Sequence, residues 1–227
     1  MNSQILVGLT ARMRVSILLV CVAICTLAMS ITSRAQAQNL FESDASSGHI
    51  YEFTPGGARS TFASGLSSPA GLAFDSAGNL FEADSGTYLF CHIYEFTPGG
   101  AQSTFASGLS SLRGLAFDSA GNLFAADADG GVGLGDIYKF TPGGARSTFA
   151  SGLHPEGLAF DSAGNLFATE FDSGQIYKFT PGGAQSTFAS GLSSPASLAF
   201  QVPEPATWSL LILGAVALLG GCRMRRR

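Results

Sequence analysis

GLAFDSAGNLFEAD, residues 71–84, returns as GLAFDSAGNLFAAD at 114–127 and as GLAFDSAGNLFATE at 157–170. Within the first of these, Gly71 to Asp75 reads as a short strand, Ser76-Ala77-Gly78 as a turn whose glycine supplies a positive φ, and Asn79 to Asp84 as the next strand. Downstream, Ile93 to Phe96 gives a third strand and Ser103 to Ala106 a fourth. They flank Thr97-Pro98-Gly99-Gly100, a turn in which proline presets φ and glycine accepts a positive one. These four strands are A, B, C and D. Counted from Asn39, Asn79, Asn122 and Asn165, the copies lie 40, 43 and 43 residues apart. A unit this short cannot bury its own apolar faces, so the copies must stack to make a core.

A period near 40 with four strands per copy predicts an all-β architecture, a β-propeller of four four-stranded blades. Sixteen of the eighteen Phe fall on the same four repeat positions, those of Phe41, Phe53, Phe62 and Phe74. In-register aromatic layers between blades are therefore expected to be the main stabilising contribution, at about 1.5–3 kcal/mol per fully buried large side chain. The chain enters the repeat at strand B (Asn39-Leu40-Phe41) and leaves after a strand A (Ser197-Leu198-Ala199-Phe200). Pairing Leu198 to Phe200 with Leu40 to Glu42 would close the ring and remove its open edges. An open array, or two chains sharing a larger ring, is the alternative.

Both ends differ from this body. Residues 1–37 carry Arg12 and Arg14, then an apolar run from Val15 to about Met29, then Ala35-Gln36-Ala37, the order of a secretory signal peptide. A retained apolar anchor is the other reading, although the run is short for a bilayer that needs about 20 residues. After the propeller segment, 38–202, come Pro203-Glu204-Pro205, an uncharged stretch from Ala206 to Cys222, and Arg223, Arg225, Arg226 and Arg227. The basic tail is expected to stay cytoplasmic. This order over residues 203–227 resembles the PEP-CTERM sorting signal of Gram-negative bacteria. The resemblance implies passage through the secretion machinery, arrest by a C-terminal membrane helix, tail removal by an exosortase-type transpeptidase, and delivery to the cell envelope or surface. An ordinary single-pass anchor is the alternative.

Between the ends, residues 39–202 hold fifteen Asp and Glu against Arg59, Arg113, Lys139, Arg146 and Lys178, a net charge of −10. Such a surface repels phosphate backbones and excludes nucleic-acid binding, which needs clustered Lys and Arg. Cys91 is the only cysteine in this body, so no intramolecular disulfide supports it.

GLAFDSAGNLF followed by an acid, a loop and IY(E/K)F also resembles the NHL-repeat propellers and their relatives, the gluconolactonase-like enzymes and streptogramin lyases. The shared positions build blades, so the resemblance bears on fold and little on activity. Because strands alternate in direction, the A–B and C–D turns share one face, and the B–C loops share the other with the D-to-A crossings. The turns barely change between copies while the B–C loops vary, and a variable face on a fixed scaffold is where recognition concentrates. On that face each strand B ends in an acid: Asp44, Asp84, Asp127 and Glu170. Convergence of the four would favour a hard cation such as Ca2+; otherwise each caps its own B–C loop through backbone N–H groups. Asp127-Ala128-Asp129-Gly130-Gly131 with Asp136 begins like a calcium loop but lacks the later Glu. His154-Pro155-Glu156 is the most irregular crossing, and no histidine has a nearby Ser or Cys arranged as a nucleophile. The function expected is binding or extracellular-matrix structure, with a glycan, protein or cation as partner. The alternative is a metal-dependent lactonase- or lyase-type enzyme.

Overall fold

The computed structural model describes residues 38–86, 90–128 and 135–201. The expected N-terminal apolar helix and the C-terminal helix with its sorting segment lie outside them, as does Asp129 of the calcium-like loop. Among the described residues every element is a strand, in four antiparallel sheets. The first holds β1 (Leu40–Asp44), β2 (His49–Phe53) and β3 (Arg59–Ser64) in the order β1-β2-β3. The second holds β4 (Pro69–Phe74), β5 (Leu80–Asp84), β6 (Cys91–Phe96) and β7 (Gln102–Leu109). β8 (Leu112–Phe117), β9 (Leu123–Asp127), β10 (Gly135–Phe140) and β11 (Arg146–Leu153) form the third. The fourth comprises β12 (Pro155–Phe160), β13 (Leu166–Glu170), β14 (Gln175–Phe179) and β15 (Gln185–Ala189).

Two compact units make up the chain, Met1–Leu40 with Glu52–Ser60 and Phe41–Tyr51 with Thr61–Arg227. In the smaller, the amide of Asn39 donates to Glu52 Oε1, and the Thr54 N–H closes its turn on the Ala58 carbonyl at 3.0 Å.

In the larger unit the turn chemistry repeats closely. Asp118 Oδ1 accepts the N–H groups of Ala120 and Asn122, each at 2.9 Å, and Gly121 takes φ 80°, which a side chain would disfavour. One contact pattern joins successive sheets. The strand-B phenylalanine meets its own strand-D ring and the next copy's strand-A ring edge to face: Phe81 with Phe105 and Phe117 at 5.1 and 5.0 Å, Phe124 with Phe149 and Phe160 at 5.0 Å each. Each strand-D ring in turn meets the next strand-C ring, Phe105 with Phe140 at 5.7 Å and Phe149 with Phe179 at 5.5 Å. Phe96, Phe140 and Phe179 are buried, as are Leu80, Leu123 and Leu166.

The A strands approach one another where each copy carries glycine. A Cβ on Gly71 would lie 2.2 Å from the Arg113 carbonyl oxygen, on Gly114 2.6 Å from that of Glu156, and on Gly157 2.5 Å from that of Ala196. The expected closing pair is not seen among the described residues, where residues 195–200 make no strand and β1 pairs with β2 alone. The final segment does pack on the fourth sheet, with Phe200 5.0 Å from Phe167. It has no strand B beside it, so the ladder bonds that would order it as a strand are missing.

Candidate functional site

Strand B delivers its terminal acid to the variable face, and the neighbouring backbone takes it up. Asp84 Oδ1 accepts the Ser68 N–H at 2.7 Å, and both its oxygens accept from Ser67, at 3.1 and 3.0 Å. Asp127 does the same for Ser110 and Ser111 at 2.9 and 2.7 Å. Glu170 accepts the His154 N–H at 3.0 Å and the Ser173 N–H. Three of the acids thus hold the D-to-A crossing that enters their own sheet, and Glu170 its B–C loop as well. Asp44 turns instead to its own loop, accepting from Ser46 and Ser47 at 3.0 and 3.2 Å. The Ser47 bonds hold its carboxyl below the usual range. Among the described residues no group of three His, Cys, Asp or Glu stands close enough to hold a metal ion.

The other polar feature of this face is a chain of side chains across the third and fourth sheets. Arg113 Nε lies 3.4 Å from Glu156 Oε1, which is 3.9 Å from His154 Nε2. His154 Nδ1 sits 3.0 Å from Asp172 Oδ2, and its ring leans on Phe171 at 5.5 Å. Arg113 and Glu156 border a cavity of about 350 Å³ whose wall includes Gly71, Gly114, Gly157 and Ser197. Its wall is formed by the A strands of successive copies, β4, β8 and β12, with residues 196–198. The irregular crossing at His154 was legible in the sequence; its link to Asp172 and Arg113 was not. A signal existed: the residue after each crossing reads Ala70, Arg113, Glu156, Ala196, placing opposite charges in successive copies.

Elsewhere, His92 stacks on Tyr94 at 5.5 Å. Cys91 is buried at the start of β6, its thiol donating to the Ser110 carbonyl at 3.2 Å, and burial pushes its pKa up.

Residues 201–227 match the PEP-CTERM protein-sorting motif. Among curated proteins, no sequence matches the chain. Solved structures share the fold. A protein assigned as a gluconolactonase superposes with a TM-score of 0.60 at 20% identity, over 73% of this chain and 64% of that one. Virginiamycin B lyase from Staphylococcus aureus superposes with a TM-score of 0.56 at 16% identity, over 76% of this chain and 55% of its own. A gluconolactonase from Xanthomonas campestris gives 0.51 at 15% identity, over 72% of this chain and 76% of that one. The four sheets therefore span somewhat under two thirds of the first of these proteins. The described residues are all-β with the fold of multi-blade β-propellers, and residues 201–227 match a PEP-CTERM motif, the mark of export, exosortase processing and surface sorting in Gram-negative bacteria.

Proposed function

We propose that this surface-sorted propeller works by binding, holding a glycan of the extracellular matrix on the face that carries the B–C loops and D-to-A crossings. One observation carries the reading. The A–B turns repeat DSAG three times over, whereas the opposite face alone holds the series Arg113, Glu156, His154 and Asp172, with Phe171 beside it. Carboxylate and guanidinium groups next to an exposed aromatic ring suit a ligand with hydroxyls on its edges and an apolar ring face. Screening the full-length protein against a glycan array, beside an Arg113→Ala/Asp172→Ala variant, tests it. Binding by the parent that the variant loses is the expected outcome; equal binding by both, or none by either, refutes it.

A lactonase- or lyase-type activity is the second reading, favoured by the 3.0 Å contact of His154 Nδ1 with Asp172, which orients the imidazole. A metal for it would have to be taken by Asp44, Asp84, Asp127 and Glu170, whose oxygens already serve backbone N–H groups. If calcium leaves melting unchanged in both the parent and an Asp84→Ala/Asp127→Ala variant, that reading loses its metal.

A further inference from the structure

We propose that the outer face of the fourth sheet docks the first sheet of a second copy of this chain, head to tail, with residues 195–200 supplying that sheet's missing A strand. Each internal joint is made by the strand-B and strand-D rings of one copy against the strand-A and strand-C rings of the next. At the fourth sheet the same rings are present. Phe167 meets Phe188 and Phe200 at 5.0 Å each, but the strand-C ring that should cover Phe188 is missing. Phe188 is 63% exposed, whereas its strand-D counterparts Phe62, Phe105 and Phe149 are half-buried.

The opposite need is found at the start of the repeat. Leu40 is 66% exposed where Leu80, Leu123 and Leu166 are each 1% exposed, and β1 has a free edge where β5, β9 and β13 carry an A strand. What the fourth sheet offers is what the first lacks, and in the single chain both are left to solvent. The fit is already written in the chain, because the internal joints use the same residues at the same repeat positions.

Two backbone details agree. Ser68 and Ser111, which precede β4 and β8, are held by the strand-B acids Asp84 and Asp127. Ser194, at the same place before the final segment, sits at φ 47°, a strained conformation for a serine. The acid that would hold it is Asp44 of a neighbouring copy. Ser197 also replaces the glycine found at 71, 114 and 157. Its Cβ makes this joint looser than the internal ones, as suits a contact formed between separate chains. Such head-to-tail contacts close into rings when the rotation between copies allows.

The register follows from the internal sheets, in which Leu72 faces Glu82, Leu115 faces Ala125 and Leu158 faces Ala168. Leu198 should therefore face Glu42 of the second copy. Full-length Glu42→Cys and full-length Leu198→Cys, each with Cys21, Cys25 and Cys222 replaced by serine, are purified separately, mixed and mildly oxidised, with buried Cys91 common to both. A disulfide-linked dimer is expected in the mixture and in neither protein alone, and Phe188→Ser in the Leu198→Cys partner should lower its yield several-fold. Because Phe188 is exposed, that change does not endanger folding. The proposal is overturned if the mixture gives no cross-link, if Phe188→Ser leaves the yield unchanged, or if a Glu42→Cys/Leu198→Cys protein cross-links within one chain.

Discussion

Glu82 should make the protein lose stability as pH rises, and replacing it with glutamine should remove most of that loss. Its side chain is fully buried in β5, facing Leu72 and Tyr94, and neither carboxyl oxygen has a hydrogen-bond partner. Burial first, and the Asp84 charge second, push its pKa up to about 9; the Ala70 N–H lies close enough to offset part of the rise without reaching hydrogen-bond geometry. Below the ordinary carboxyl pKa both folded and unfolded chains hold this proton, and there is no penalty. Above it the unfolded chain ionises while the folded chain stays neutral, so stability falls by about 1.4 kcal/mol per pH unit until the folded pKa is reached. At pH 7 the accumulated cost is about 3 kcal/mol, and between pH 5 and 8 it grows by about 4 kcal/mol. Glu82→Gln keeps the shape and cannot ionise. Urea unfolding of parent and variant at pH 5 and pH 8 should show the variant gaining an advantage of about that size at the higher pH. Parallel pH dependence of the two proteins would refute the assignment of a neutral, buried carboxyl.

Asp84→Ala strands the Ser67 and Ser68 N–H groups and should cost about 2–3 kcal/mol, read from the urea midpoint. Gly114→Ala drives a methyl to within 2.6 Å of the Glu156 carbonyl oxygen, and the forced backbone shift should destabilise by about 1–3 kcal/mol in the same assay. Arg113→Ala breaks an ion pair whose arginine is 42% exposed, so its melting should change by less than about 1 kcal/mol while glycan binding falls. Replacing Pro203, Glu204 and Pro205 by alanine should leave full-length protein in membrane fractions of the native host, whereas the parent should run as a tail-cleaved form on immunoblots.

Strands and turns were legible because each rests on local chemistry repeated three or four times: Asp-Ser-Ala-Gly makes its own hydrogen bonds wherever it stands. The strand-D boundaries were read short. β7 runs from Gln102 to Leu109, because β6 begins at Cys91 and its first two residues pair with Leu109 and Ser107. The acids ending strand B were visible as a set, but not their targets, because Asp84 holds residues 16 and 17 positions earlier in the chain. Glu82 was missed for a related reason. Glu42 follows the same Asn-Leu-Phe and is exposed, while Glu82 is buried, because β5 has the A strand β4 beside it and β1 has none among the described residues. Identity between copies therefore determines how the blades are built, while position in the series decides which copies are buried, which are open and which can meet a partner. Ala125 and Ala168 fill the place of Glu82 in later copies at no electrostatic cost, and opposite charges at Arg113 and Glu156 appear where the first and last copies keep alanine. Departures from the repeat, more than the repeat itself, are where selection for something other than the fold can be sought.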